Sequence, residues 1–184
     1  MQIGSGSPTQ VLKTEHRLIL KVIEALGNIV RAVEGGAEVP AERIRKIVEF
    51  SRTFIDRCHH GKEETCLFPC MERRGVPREG GPIGVMLMEH DQGRALVRQI
   101  SDLVDSDVGT SERGRLMALC AEYVALLTQH ISKEDHILFA VAEHVLSASD
   151  EAEILRGYDD IENVRMGPGV HEAMHRLADE VMVG

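Results

Sequence analysis

Two eleven-residue stretches, HHGKEETCLFP at 59–69 and HISKEDHILFA at 130–140, coincide at His, Lys, Glu, Leu and Phe, with a second acid directly after the shared Glu. His59 matches His130 and Glu63 matches Glu134. A four-residue step in an α-helix turns about 400°, so each His and its Glu project from nearly one face, one turn apart. Upstream of each stretch stands an echo, Glu15-His16 before the first and Glu89-His90 before the second. The chain thus reads as an approximate repeat of a helix bearing His followed by a helix bearing HxxxE.

Apolar spacing supports four long helices. Thr9 is a candidate N-cap, and Val11, Leu12, Leu18, Ile19, Val22, Leu26, Ile29 and Val33 follow at helical spacing until Gly35-Gly36. Pro40 opens a second pattern that runs to about Arg74, with Pro69 expected to kink it or end its regular part. GVPREGGP at 75–82 is turn chemistry. A third helix is predicted from Ile83 to about Leu103, a break from Asp105 to Ser111, and a fourth helix from there to about Leu146. Shorter helices are predicted near 149–163 and 170–182, separated by MGPG. No segment alternates with period two. The expected fold is all-α: an antiparallel up-down four-helix bundle over 1–147, with one or two additional short C-terminal helices in 148–184 packed on it.

Composition narrows the partners. A net charge of −9, two Tyr, four Phe and no Trp disfavour a nucleic-acid backbone and base stacking. No apolar run reaches the roughly 18 to 20 residues of a membrane span. The segment MQIGSGSPTQ lacks a basic stretch followed by an apolar core, so a cytoplasmic location is expected. Cys58, Cys66, Cys70 and Cys120 form no CxxC pair and read as reduced thiols, with Cys66 and Cys70 as small buried hydrophobes.

The histidines remain to be explained. An imidazole can bind one ion terminally, while a carboxylate one turn away reaches inward to bridge two ions, as in the di-metal centres of bundle interiors. Depth counting supports a shared level. His16 lies about 18 residues before the end of its helix and His59 about 19 after the start of the next, roughly 27 to 29 Å from their turn. For His90 and His130 the counts are about 16 and 19. Across the middle connection they are about 15 and 7, an excess that Pro69 and the GVPREGGP loop must absorb. A lone buried polar group without a partner costs kilocalories, so four such elements at compatible depths point to a common metal site.

These four elements, EH, HHGKEExxLFP, EH and HxxxE in that order over about residues 10–145, resemble the hemerythrin-like HHE cation-binding family. The resemblance implies a four-helix bundle holding two Fe ions bridged by an oxo or hydroxo group, with about five His and two bridging carboxylates. Carried over, it makes His16, His59, His90 and His130 terminal ligands and Glu63 and Glu134 bridges. The chain departs from the oxygen carriers at Arg94, which stands one turn after His90 where they place a second His. His60, the C-terminal pair His171 and His175, or water could supply the fifth position. A register slip to Glu64 or Asp135 is the alternative for the bridges. His136 and His144 read as structural or exposed. Imidazole with carboxylate also suits Mn or Zn.

The expected function follows from the resemblance: a non-haem di-iron protein that binds or reacts with dioxygen, peroxide or nitric oxide. Because Arg94 leaves the carrier's set incomplete, peroxide handling, including a catalase-like disproportionation, is favoured over oxygen carriage. An oxygen or iron sensing module without turnover is the alternative. Tyr123, Glu64 and Cys58 are candidate proton donors.

Overall fold

The computed structural model describes residues 6–105 and 110–183, and every described element is helical. Six continuous helices follow one another: α1 (Pro8–Glu34), α2 (41–73), α3 (Pro82–Asp105), α4 (110–145), α5 (148–165) and α6 (Val170–Val183). No helix among the described residues is long and apolar enough to cross a membrane. Residues 1–5 and 106–109, on which part of the expected leader reading and most of the 105–111 break fall, lie outside the described residues.

Local chemistry sets the helix ends. The N-cap of α1 is Ser7 rather than Thr9: its side chain accepts from the Gln10 N–H, and Pro8 takes the first helical position, where a missing N–H costs nothing. Thr9 is buried and donates instead to Glu143 on α4. Gly36 and Gly75 stop α1 and α2 with φ of 102° and 90°, a left-handed region that glycine enters without strain. Ser147 and Asp150 form a reciprocal capping box at the start of α5.

Pro69 does not end α2. The helix already widens to π geometry over Ser51–His60 and Glu63–Leu67, then returns to α geometry through Pro69 to Arg73. In α4 a π turn spans Glu134–Leu138, although Ala140 stands where α2 has Pro69. The two π turns open at the matched glutamates whether or not a proline follows, so they belong to the repeat and not to Pro69. Inserted π turns are frequent where helices carry function.

Two apolar clusters occupy the interior. One gathers α1 to α4 around Ile23, Leu26, Phe50, Phe54, Val97, Leu116 and Tyr123, and α6 closes it with Met174, Ala178 and Val181. The other joins Leu12, Leu67, Phe68, Met71, Ile83, Leu138 and Phe139 to Ile154 and Tyr158 of α5. The histidines lie between them. The poor depth count across the middle connection has a simple resolution: α2 runs about nine ångströms, six residues at 1.5 Å, deeper than α3 reaches. Its overhang is covered by α5, through Ile154, Tyr158 and the Arg74–Asp150 ion pair.

Candidate metal centre

His16, His59, His60, His90 and His130 are all buried, and each faces the interior from the helix on which the repeat places it. The outer nitrogens are engaged in a pattern that obeys the repeat. Nδ1 of His59 donates to Glu15 at 2.8 Å, and Nδ1 of His130 to Glu89 at 2.9 Å. Nδ1 of His16 donates to Asp135 at 2.8 Å, and Nδ1 of His90 to Glu64 at 2.7 Å. Lys62 pairs with Glu15 as Lys133 pairs with Glu89. Carboxylates on Nδ1–H fix ring orientation and tautomer, and so aim Nε2 inward.

The inner nitrogens then meet. His16 Nε2 lies 3.0 Å from His59 Nε2, and His90 Nε2 lies 3.2 Å from His130 Nε2. With each Nδ1 committed as donor, the facing Nε2 lone pairs repel unless a proton or a metal cation sits with them. Between the pairs lie the carboxylates of Glu63 and Glu134, fully buried, with no hydrogen-bond partner on any of their four oxygens. Glu134 approaches His16 Nε2 and His130 Nε2 at 3.2 and 3.3 Å; Glu63 approaches His59 and His90 at 3.6 and 3.4 Å. Buried carboxylates left bare among imidazole nitrogens are costly on their own and suit a cation.

Two overlapping groups could hold metal ions, His16, His59, Glu63 and Glu134, and His60, Glu63, His90 and His130, with the atoms of each within 4.8 Å of one another; a third, less buried group, Glu15, Glu162 and His171, lies apart from them. Glu63 belongs to both overlapping sets, and Glu134 to the first. Glu64 and Asp135, the register-slip alternatives, are turned outward as partners of His90 and His16.

His60 breaks the symmetry, since Ile131 stands at its counterpart in α4. Its Nδ1 has no hydrogen-bond partner and sits 3.7 Å from Asp56, beyond reach. Burial, then the neighbouring His90 and His59, hold its pKa well below 6.5, so the ring is neutral and free to ligate. Arg94, at the oxygen carriers' fifth-ligand position, points away from the centre and binds Asp56 at 2.7 Å and Glu64 at 2.6 Å.

His171 and His175 are not brought to either set. They lie over Phe54, and His171 approaches Glu15 and Glu162 at 3.9 and 4.0 Å, on the outer side of Glu15. Their spacing is explained by contact with the first apolar cluster through Met174 and Ala178 between and beyond them. His136 donates to the Ser132 carbonyl at the surface, and His144 is exposed. Cys70 is buried as expected, whereas Cys66 is only half-buried, its sulfur against Gly157.

Electrostatics in the metal-free chain follow from this packing. Burial would lower His16, yet Asp135 and Glu134 outweigh it and raise its pKa to about 10; His90 rises to about 9 through Glu63 and Glu64 against the same burial. Burial pushes Glu134 up, but His130 and His16 bring it down to about 2. Protons thus occupy the inner nitrogens where metal cations would sit.

Of the three proton donors expected from the sequence, Glu64 touches a histidine of the centre, while Tyr123 and Cys58, among the described residues, make no hydrogen bond to it. Tyr123 lies about two turns from His130, beside a small apolar cavity that also includes Ser51 and Val97. Glu64 is committed to His90 and Arg94. Burial pushes the Cys58 thiol up to about 12, with Lys62 acting against it. Sequence reasoning missed Tyr158 of α5, which is buried with an unpartnered hydroxyl and a pKa well above 10, held there by burial and then by Glu63 and Glu15.

A helical bundle whose interior holds converging imidazoles and bare carboxylates is a metal-binding domain. Residues 7–142 match the hemerythrin HHE cation-binding domain, and the chain belongs to that family. It is 23% identical over 171 residues to an uncharacterized protein of Mycobacterium tuberculosis, an alignment covering 91% of this chain and 66% of the relative. It is 32% identical over 128 residues to the iron-sulfur cluster repair protein YtfE of Edwardsiella ictaluri, covering 67% of this chain and 58% of that protein. The YtfE protein of Yersinia pestis is 35% identical over 85 residues, 44% of this chain and 38% of the relative. The chain therefore spans less than two thirds of the length of these relatives.

Proposed function

We propose that the chain is a non-haem di-iron protein that binds and reacts with dioxygen, peroxide or nitric oxide, and that it handles oxidative or nitrosative stress instead of carrying oxygen. The observation behind this reading is the convergence of two Nε2 pairs on two bare buried glutamates. His16 and His59 would hold one metal and His60, His90 and His130 the other, with Glu63 and Glu134 between them. Such a pair, when bound, supplies two reducing equivalents and a Lewis-acidic position for a small ligand.

The remaining work falls to the chain's own residues. Glu15, Glu89, Glu64 and Asp135 hold the five-membered rings in ligating orientation. Phe139 stacks on His16 with centroids 5.5 Å apart, and Phe68 lies over His90 at 6.0 Å, so apolar walls exclude water from one end of the centre. Tyr158 keeps its proton at Oη, buried and without a hydrogen-bond partner, and so adds a neutral group to the α5 side of the interior.

The test is metal analysis with absorption spectra of the aerobically purified protein, followed by hydrogen peroxide. Two irons per chain and rapid gas release are expected. Manganese or zinc in place of iron, or less than one metal per chain, overturns the metal assignment; a stable, reversible oxygen-dependent absorption change without gas release favours a binding or sensing role. The similarity to YtfE supports a second reading, iron-sulfur cluster repair. It predicts that the iron-loaded chain restores activity to an oxidatively inactivated iron-sulfur enzyme.

A further inference from the structure

The internal repeat creates two equivalent grooves, and among the described residues only one of them is filled. In the groove between α1 and α2 lies α5: Gly157 rests on Cys66, the Tyr158 ring lies 5.6 Å from Lys62 Nζ, and Glu162 joins Glu15 on Lys62, which is 0% exposed. The repeat maps Glu15 onto Glu89, Lys62 onto Lys133, Val11 onto Val85 and Cys66 onto Ile137.

In the groove between α3 and α4 nothing takes the place of α5 among the described residues. Lys133 pairs with Glu89 and is 36% exposed. The two helices run antiparallel, so Ile137, one turn beyond Lys133, lies at the level of Val85, one turn before Glu89. Val85, Met88 and Ile137 are 40%, 65% and 57% exposed. The bare groove is also the more apolar one: Met88 stands where α1 has Thr14, and Ile137 where α2 has Cys66. Singly exposed apolar residues are ordinary, but a group of them in one groove marks an interaction surface.

We propose that the α3/α4 groove receives an amphipathic helix of a partner protein, one that carries a carboxylate placed as Glu162 is on α5. The charge pattern specifies it. Lys62 meets two carboxylates, one from α1 and one from the seated helix; Lys133 has the first and lacks the second. A small residue at the place of Gly157 would let the partner backbone approach Ile137. A second copy of the chain is a poorer occupant, because its α5 and α6 are both engaged by their own cores.

The probe is a fluorescein-labelled peptide of residues 147–166, added to the intact chain and followed by anisotropy. Saturable binding is expected, weakened about tenfold or more by I137E or K133E in the chain and by E162Q in the peptide. K133E should recover affinity when the peptide carries E162K, a reversal that a merely structural effect does not produce. Both positions are on the surface, and unchanged far-UV circular dichroism of each variant secures the comparison. Absence of binding, or binding indifferent to I137E and K133E, overturns the proposal. So does a dimer in light scattering that M88E dissolves, which would make a second copy the occupant.

Discussion

His60 lies ring to ring on His90, with centroids 3.7 Å apart and planes within 13°. The contact gives one ligand set a third imidazole that the other set lacks. Replacing His60 by Phe preserves a stacked ring and removes both nitrogens. H60F is expected to retain its fold and lose about half its bound metal, whereas H171A and H175A retain the two buried metals, because neither ring belongs to the two sets that share Glu63; His171 groups only with Glu15 and Glu162. Metal content by elemental analysis, with circular dichroism as the folding control, checks both outcomes. Undiminished metal in H60F would exclude His60 as a ligand.

Protonation and metal binding compete for the same nitrogens. At pH 7.5 His16 and His90, with values of about 10 and 9, carry protons in the metal-free chain. Loading should release about two protons per chain, measurable as a dependence of calorimetric heat on buffer ionisation enthalpy. Affinity should rise with pH until about 10. Stability of the metal-free chain runs the other way. Both folded values lie above the unfolded 6.5, so their contribution is fully present below about pH 6.5 and is lost as pH rises through 9 to 10. Thermal melts of the metal-free protein from pH 6 to 10 should fall accordingly; a rise with pH would contradict the assignment.

Arg94 makes the two halves electrically unequal. Glu64, which accepts from His90 Nδ1, also binds Arg94, while Asp135, which accepts from His16, has no such cation because Leu20 stands at the matching place. Removing the guanidinium would leave Glu64 to pull harder on the His90 proton, making that imidazole a stronger donor to an oxidised metal. R94L is expected to lower the midpoint potential of the loaded centre, and D135N to raise it. Spectroelectrochemical titration reads both, and identical potentials in all three proteins would refute the tuning role.

The ligand layer was legible because its spacing is one helical turn, and a turn survives translation from sequence to structure. The outer hydrogen bonds were half legible: Lys62 and Lys133, and Glu64 and Asp135, aligned in the repeat, but nothing local told that they would reach back to Glu15, Glu89, His90 and His16 on neighbouring helices. Ser7 could have been chosen over Thr9 from Pro8 alone, since proline favours the first helical position. The π turns left no signal, because matched turns precede both Pro69 and Ala140. Tyr158 was invisible for a different reason. Its place depends on how α5 crosses the α2 overhang, a long-range packing outcome that periodicity does not encode.

That crossing depends on one close approach. A Cβ built on Gly157 would stand at an ordinary 3.5 Å from the Cys66 Cβ but only 2.6 Å from its sulfur, closer than real Cβ atoms come, so something must shift. The methyl group that would ordinarily favour a helix interior here forces either Cys66 to turn or α5 to lift. G157A is expected to destabilise the protein by about 1 to 3 kcal/mol. Because Tyr158 and Glu162 ride on the same helix, amides of α5 should also exchange faster with solvent. Shortening the opposing side chain relieves the contact, so C66A should restore most of the loss in the double variant, while C66A alone is nearly neutral at this half-buried position. Chemical denaturation of the four proteins forms a double-mutant cycle, and additive effects of the two substitutions would show that α5 is seated by something other than this contact.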